Sequence, residues 1–237
     1  MEEKIIHRAE TRGHADYGWL QTYHTFSFAN YFDPQRVQFG ALRVLNDDRV
    51  SPSKGFDFHP HKNMEIISVP LKGGLLHRDN KNNEIKIQHG DVQIMSAGTG
   101  IIHSEYNISD TDEVQFLQIW ILPDKQDIAP RYDQLTFGPE LQKNGFKVLA
   151  NPDKQDKHSL WINQNAYVSR GTFDTGITDT YQMNDSSNGL YLFVIEGEIS
   201  IDNETLTRRD GMGLTNTKNV ELIFKQPTDL LLLEVPV

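Results

Sequence analysis

The sequence predicts an all-β protein made of two antiparallel β-barrels or sandwiches, and three observations support this fold class. Short segments rich in β-branched and aromatic residues recur along the chain, separated by turns of glycine, asparagine and aspartate. No long amphipathic segment with helical periodicity interrupts them. The 237 residues are enough for one large domain or two small ones. A weak internal repeat relates the two halves of the sequence and favours two domains. Many short strands with regular turns are typical of a sandwich or a barrel.

The first half supplies most of the predicted strands. The aromatic segment Trp19–Phe28 has β propensity and is predicted to pack in a core or at a barrel mouth. Residues Leu42–Val50 are predicted to form a strand that runs into a turn, because Asn46-Asp47-Asp48 has the composition of a turn. Further strands are predicted at His59–Val69, Gly74–Arg78, Glu84–Gln88, Val92–Met95 and Val114–Leu122.

Residues 124–160 are polar and rich in turn residues, which predicts a connection with one short strand at Phe146–Leu149. The second half then supplies strands at Ala166–Arg170, Leu190–Glu196, Glu198–Ile201, Asn219–Phe224 and Leu230–Val235. The last of these begins with an unbroken apolar run, which predicts a strand buried on both faces.

Composition and charge exclude several kinds of function. The 33 acidic and 23 basic side chains give a net charge of −10, which argues against a general binder of nucleic-acid phosphates. Without cysteine, disulfides, thiolate metal sites and cysteine nucleophiles are ruled out. The segment Met1–Ile6 has no apolar signal core, and no run is apolar enough to span a membrane. We therefore expect a soluble cytoplasmic protein.

Four side chains of ligand type are spaced for convergence. His59 and His61 are two residues apart, as are His103 and Glu105. Residues two apart in a strand point to the same face, so two such pairs on facing strands make a cage of nitrogen and oxygen ligands. Such a cage suits a transition metal. Eight of the nine histidines lie at or before His103, and packing or surface roles are predicted for three of them, His24, His77 and His89.

The internal repeat predicts that the second half copies the scaffold without the ligands. Each half has a glycine turn followed, after two strands, by a glycine-aspartate or aspartate-glycine pair, at 72–74 with 90–91 and at 196–198 with 210–211. Ungapped counting from these turns puts Met183, Asp185 and Phe224 where the first half has His59, His61 and His103.

The ligand motifs resemble those of the pirin family in the cupin superfamily, in particular its bacterial members with quercetin 2,3-dioxygenase activity. The resemblance rests on His59-Pro60-His61-Lys62-x-Met64-Glu65 and on the segment from Gly90-Asp91 to His103-Ser104-Glu105. It extends to Gly18-Trp19-Leu20, Thr25–Phe28, Tyr31–Pro34 and Arg43–Asp48. It is specific over most of residues 10–135 and general over the second half.

Membership of this family implies a bicupin, with two antiparallel β-barrel (jelly-roll) domains. It implies an N-terminal metal-binding barrel at residues 1–135 and a C-terminal barrel without metal ligands at 136–237. One mononuclear divalent metal, usually iron, would be held by His59, His61, His103 and Glu105. A monomer is expected.

The identity of the carboxylate ligand stays open between two residues. In cupins at large the carboxylate stands where Glu65 is, whereas in pirins it stands where Glu105 is. Glu65 is four residues after His61, so a regular strand would put both on one face, and parity does not separate the two candidates. The pirin-like context favours Glu105, and Glu65 would then orient a ligand or a bound water. Either carboxylate is a candidate catalytic proton acceptor.

The resemblance implies a dioxygenase that cleaves flavonols such as quercetin and releases carbon monoxide, with dioxygen as co-substrate. Four ligands leave open positions on an octahedral metal but would fill a tetrahedral zinc, which favours Fe, Ni, Co, Mn or Cu. Among these, the resemblance implies Fe(II). A second hypothesis is a redox-sensing regulator that acts through protein partners and does not itself bind nucleic acid. A cupin-type sugar isomerase is disfavoured because no basic phosphate clamp is evident in the sequence.

Overall fold

A computed structural model describes residues 3–138 and 143–237. Over these residues the regular secondary structure is almost entirely β-strand, with one 3₁₀ helix at Ala9–Thr11 and no helix that is long and apolar enough to cross a membrane. The strands are β1 (Glu3–His7), β2 (Gly13–Asp16), β3 (Leu20–His24), β4 (Leu42–Val50), β5 (Gly55–His61), β6 (Glu65–Lys72), β7 (Gly74–Asp79), β8 (Glu84–Gln88), β9 (Asp91–Ser96), β10 (Ile101–Asn107), β11 (Val114–Ile121), β12 (Arg131–Thr136), β13 (Gly145–Asn151), β14 (Leu160–Trp161), β15 (Tyr167–Phe173), β16 (Thr178–Gln182), β17 (Asn188–Glu196), β18 (Glu198–Ile201), β19 (Glu204–Thr207), β20 (Gly211–Thr215), β21 (Asn219–Phe224) and β22 (Thr228–Pro236).

The strands form two similar pairs of sheets. The first pair is a seven-stranded sheet, β12-β9-β6-β11-β4-β3-β2, and a four-stranded sheet, β5-β10-β7-β8. The second pair is a seven-stranded sheet, β1-β20-β17-β22-β15-β13-β14, and a four-stranded sheet, β16-β21-β18-β19. Each half is therefore a jelly-roll sandwich of two separate sheets rather than one closed barrel, and the predicted all-β, two-domain jelly-roll class is confirmed.

One edge strand crosses between the halves. Strand β1 lies in the first half of the sequence but pairs with β20 in the sheet of the second half. The corresponding edge of the first sheet is formed by β12, which pairs with β9. A division of the chain at residue 135 therefore separates β1 from the sheet to which it is hydrogen bonded.

The largest hydrophobic core lies between the two seven-stranded sheets and draws side chains from both halves, from Phe26 to Val235. A second core fills the sandwich of the second half. Strand β22 serves both cores, because Leu231 and Leu233 point into the shared core whereas Leu230 and Leu232 point into the second. The prediction of a strand buried on both faces is confirmed.

Two sequence-based expectations for the first half are wrong. The predicted strand His59–Val69 is two strands in different sheets, because the chain leaves β5 after His61 and enters β6 at Glu65. The parity argument that linked His61 to Glu65 therefore does not apply. The segment Asn46-Asp47-Asp48 is not a turn but the centre of β4, where it is buried.

The connection between the halves also contains more regular structure than expected. It carries two strands, β12 and β13, rather than one, and a further two-residue strand, β14.

A buried ion cluster ties β4 to the second half. Asp47 Oδ2 accepts hydrogen bonds from Arg209 Nε at 2.8 Å and from Arg12 Nη1 at 3.3 Å. Both guanidinium groups are buried, and that of Arg12 lies 4.8 Å over the ring of Tyr23. The carboxylate of Asp47 is therefore the shared counter-ion of two cations that have little access to water.

Replacement of Asp47 by alanine should lower the free energy of unfolding by about 3–5 kcal/mol. It leaves the buried Arg12 without its counter-ion and Arg209 with only the half-exposed Glu196, 3.7 Å from its Nη1. Denaturant-induced unfolding measures the loss. The control is Arg208→Ala, which removes a half-exposed pair with Glu196 and should cost no more than about 1 kcal/mol. Equal losses in the two variants would show that the buried cluster does not hold the halves together.

Candidate metal centre

Three histidines converge where β5 pairs with β10. His59 and His61 lie on β5, and His103 on β10 is directly opposite His59 in the antiparallel ladder. The ring centroids are 4.4 Å apart for His59 and His103, 4.8 Å for His59 and His61, and 4.9 Å for His61 and His103. One nitrogen from each ring lies within 4.8 Å of the others. The structure thus brings together the three imidazoles that the spacing picked out.

The hydrogen bonds leave nitrogen lone pairs for a ligand. His59 Nδ1 is 2.7 Å from the carbonyl oxygen of Asp57, which can only accept, so Nδ1 carries the proton and Nε2 is left with its lone pair. His103 Nε2 is buried and has no hydrogen-bond partner within the described residues. Burial and the neighbouring imidazoles lower the pKa of His61 and of His103 to about 3, so both rings are neutral at pH 7. Neutral imidazole is the form that binds metals.

Glu105 lies beside this group and is firmly held. Its Oε1 accepts a hydrogen bond from Ser68 Oγ at 3.1 Å, and its Oε2 accepts one from Gln118 Nε2 at 2.8 Å. It offers an oxygen within 4.8 Å of nitrogens of His77 and His103. A shift of register between His103 and Glu105 sets Glu105 opposite Phe56 in β5.

Glu65 lies elsewhere. It begins β6 in the seven-stranded sheet, where its Oε2 accepts hydrogen bonds from Ser96 Oγ at 2.9 Å and from the backbone N–H of Asn163 at 3.2 Å. Burial raises the pKa of Glu65. The structure does not bring Glu65 into the histidine group, and it does not line the cavity described next. Its contacts link the first half of the chain to the second.

Two of the histidines, His59 and His61, line a cavity of about 280 Å³. Its apolar lining is largely aromatic, and the ring of Trp120 packs edge-on against His61 at 4.9 Å. The polar lining comes from the facing seven-stranded sheet and from Glu105. The lining residues are Tyr17, Leu20, Thr22, His24, Phe28, Ala29, Asn46, Asp48, Phe56, His59, His61, Glu105, Gln118 and Trp120.

A row of polar side chains crosses the sheet that faces the histidines. Its members lie opposite one another on five adjacent strands: His24, Asn46, Gln118, Ser68 and Gln93. The composition of Asn46-Asp47-Asp48 wrongly predicts a turn, and the aromatic neighbours of His24 in the sequence predict a packing role for it. The signal that was missed is the alternation of period two in Leu20-x-Thr22-x-His24 and in Asn46-x-Asp48, which puts each set on one face.

Several atoms of this wall have no partner within the described residues. They are both ring nitrogens of His24, Oδ1 of Asn46, Oδ1 of Asp48 and Nε1 of Trp120. Burial raises the pKa of Asp48 to about 7; the charges of Asp47 and Glu105 add to this and a hydrogen bond from Thr22 opposes it. Burial also lowers the pKa of His24 to about 4. Buried polar groups without partners in a cavity are suited to a polar ligand.

The second half has apolar side chains where the first has the Ser68, Gln93 and Gln118 part of this polar row, and Ser169 stands where Asn46 is. Ser68 and Leu192 each stand five residues before a turn glycine, Gly73 or Gly197. Ser68 pairs with Gln93 and Gln118, whereas Leu192 pairs with its own two apolar neighbours, Met212 and Leu232.

Strand register also corrects the ungapped counting. Asn107 pairs with Leu75, and Phe224 pairs with Ile199, each partner two residues after its turn glycine. Phe224 therefore corresponds to Asn107 rather than to His103. Counting back along β10 and β21, His103 corresponds to Val220 and Glu105 to Leu222. Met183 and Asp185 lie beyond the end of β16, the counterpart of β5.

The donor set of the first half fits a single divalent metal ion. Imidazole nitrogens and a carboxylate are ligands that first-row transition metals accept. The orphaned lone pair on buried His103 Nε2 is the observation that a bound metal would explain. His77 belongs to a second cluster with His103 and Glu105, but both of its ring nitrogens already have partners, Asp79 and His103.

The fold and this site define a class, the two-domain cupin proteins whose first domain carries a histidine and carboxylate site. The profile described as Pirin matches residues 6–121, and the profile described as Quercetinase C-terminal cupin domain matches residues 148–235. The chain belongs to the pirin family.

Individual relatives cover nearly the whole chain. Quercetin 2,3-dioxygenase of Escherichia coli (strain K12) is 37% identical over 231 residues, 98% of either chain. A pirin-like protein of Caulobacter vibrioides is 37% identical over 222 residues, 94% of this chain and 95% of its own. The crystal structure of bacterial pirin YhhW from Escherichia coli in complex with nickel(II) has a TM-score of 0.92 at 36% identity and covers 99% of both chains. The resemblance inferred from the motifs is confirmed.

Replacement of His103 by alanine should weaken Ni(II) binding by roughly 100-fold or more. It removes the ligand that β10 supplies opposite the two histidines of β5. Calorimetric titration of metal-free protein measures the affinity. The control, His89→Ala, removes an exposed histidine outside the cavity and should bind like the wild type. Equal affinity in both variants would place the metal elsewhere.

Proposed function

We propose that this protein is a metal-dependent dioxygenase that cleaves flavonols such as quercetin with release of carbon monoxide. The observation that carries the proposal is the three-histidine group, two of whose rings line an aromatic-walled cavity with unpartnered polar atoms. Its volume of about 280 Å³ is close to the lower end of pockets for small organic ligands. Relatives named quercetin 2,3-dioxygenase support the choice of substrate class.

In this proposal His59, His61, His103 and Glu105 hold one metal ion, most simply Fe(II), with Ni, Co, Mn or Cu as alternatives. When bound, the metal supplies an electrophilic, redox-active centre that a flavonol oxygen and the co-substrate dioxygen can both reach. Ser68 and Gln118 fix the carboxylate of Glu105, so its oxygens need little reorganisation on binding.

The cavity walls bind and orient the substrate. Trp120 packs nearly at right angles to His61 and to Phe28, with centroids 4.9 Å and 5.3 Å away, and these rings form an apolar wall that suits an aromatic ring system. On the facing sheet, the unpartnered polar atoms of Asn46 and His24 can bond to the hydroxyl groups of a flavonol. A planar polyphenol therefore matches both the apolar and the polar parts of the lining.

Proton transfer from the reacting hydroxyl is assigned to carboxylates that line the cavity. Of the two candidates from the sequence, Glu105 lines it and Glu65 does not. Asp48 is a further carboxyl group in the same cavity, and a pKa raised to about 7 by burial suits a group that exchanges protons near neutral pH. We assign Asp48 the role of proton acceptor beside Glu105.

The activity is tested by mixing quercetin with metal-loaded protein without oxygen and then admitting air. We expect the flavonol absorption band to bleach only after air is admitted, with carbon monoxide released in equimolar amount. Metal-depleted protein and His103→Ala are the controls and should leave the band unchanged. Binding of quercetin without consumption in air would reject the dioxygenase and support the regulatory hypothesis instead.

Replacement of Asp48 by asparagine should lower kcat/KM by roughly 100-fold at pH 8, a loss typical of a removed general base. A base works in its ionised form, and the pKa of Asp48 is raised, so wild-type activity should rise as the pH increases through about 7. The variant should lack that rise and keep its metal content, which elemental analysis checks. An unchanged pH profile in the variant would exclude Asp48 as the base.

A further inference from the structure

A hydrogen-bonded series of buried polar groups runs behind His103, away from the cavity. His103 Nδ1 is 3.4 Å from His77 Nδ1, and His77 Nε2 is 3.1 Å from Asp79 Oδ2. The two imidazoles are fully buried, and the ring of Tyr132 packs on His77 with centroids 4.6 Å apart. Neither His77 nor Asp79 lines the cavity, so the proposed reaction gives them no direct role.

Asp79 acts as an acceptor at both oxygens. Its Oδ1 accepts the backbone N–H groups of Lys81 at 2.8 Å and Asn83 at 3.1 Å. Its Oδ2 accepts the side-chain amide of Asn83 at 2.7 Å in addition to the contact with His77. Because Asp79 only accepts, the proton in that last contact must be on His77 Nε2.

For a neutral His77, the remaining protons have a single arrangement. A neutral His77 with its proton on Nε2 has a lone pair on Nδ1, so the contact with His103 needs a proton from His103 Nδ1. His103 therefore keeps its own lone pair on Nε2, which is the buried atom that has no partner within the described residues. Each hydrogen bond in the series then has one donor and one acceptor, and the series ends in a lone pair on His103 Nε2 at the metal site.

We propose that His77 and Asp79 are positioning residues that fix the tautomer and orientation of His103 and increase its basicity as a metal ligand. A histidine ligand commonly donates its second ring nitrogen to a carboxylate or carbonyl group. In this protein the carboxylate of Asp79 acts on His103 through the intervening imidazole of His77. The inference rests on the metal site of the proposed function, but it does not depend on a flavonol as the substrate.

The second half of the chain provides an internal comparison. His77 stands four residues after the turn glycine Gly73, and the residue four after Gly197 is Ile201. Ile201 is buried in the second core, as is Val220, the counterpart of His103. Where the ligand histidine is absent, this position packs well with an aliphatic side chain. The imidazole of His77 is therefore not needed to fill space in this fold, and it occurs together with the ligand it contacts.

Asp79→Asn should reverse the donor and acceptor roles in the hydrogen bonds that link residue 79, His77 and His103. The two backbone N–H groups at Oδ1 would hold the amide oxygen in that place and turn the amide NH₂ towards His77. His77 Nε2 would then have to accept, its Nδ1 would carry the proton, and His103 would be driven to carry its proton on Nε2. That tautomer has no lone pair for the metal.

The test titrates metal-free folded protein with Ni(II) and records the exchangeable imidazole N–H resonances of the Co(II)-loaded form. Relative to the wild type, His77→Leu and Asp79→Asn should each weaken Ni(II) binding by roughly 10–100-fold. The shifted N–H signal of His103 should move or disappear in both. His77→Gln supplies one acceptor and one donor, and should recover most of the affinity lost in His77→Leu.

Tyr132→Phe is the packing control, because it keeps the ring on His77 and removes only a hydroxyl that bonds to Gln134. It should leave affinity and N–H signals unchanged. Wild-type affinity and unaltered N–H signals in His77→Leu and Asp79→Asn would overturn the proposal. So would failure of the wild type to bind Ni(II), whereas binding of Ni(II) without turnover of quercetin would reject only the dioxygenase.

Discussion

The site depends above all on one piece of backbone pairing, the antiparallel ladder between β5 and β10. That ladder sets His103 opposite His59, although the two residues are far apart in the chain. It also fixes the place of Glu105, because the shift of register after His103 determines which residue of β5 it faces. The positions of these side chains are thus set by the sheet, and the side-chain hydrogen bonds refine them. Sites built on strands are held more rigidly than sites built on loops.

A carboxylate and several amides inside a sandwich require hydrogen-bond partners. In the first half these groups are partners for one another. Glu105, Ser68, Gln118 and Gln93 form one hydrogen-bonded group. In the second half all four positions are apolar, as expected if a partly satisfied polar network is worse than none. At these four positions the duplicated scaffold therefore has polar side chains in the first half and apolar side chains in the second.

The general fold and the three converging histidines could be predicted from the sequence, because period-two spacing and turn residues are local properties. The wall of the cavity was not found, since Asn46 and Asp48 have the composition of a turn and only their pairing with β3 and β11 shows them to be buried strand residues. The place of Glu65 was missed because nothing local shows that the chain changes sheet after His61. The role of His77 depends on a contact with His103, which no spacing within the sequence reveals.

The crossing of strand β1 to the second half has a consequence for how the chain is made. As the protein leaves the ribosome, β1 emerges before the other strands, yet its partner β20 begins only at Gly211. Strand β1 therefore lacks this partner until the strands between the two have been synthesised. Such a long-range closure is slow, and an unpaired edge is open to wrong partners in the meantime. The sheet of the second half is for this reason complete only when β1, from the far end of the strand order, has joined it.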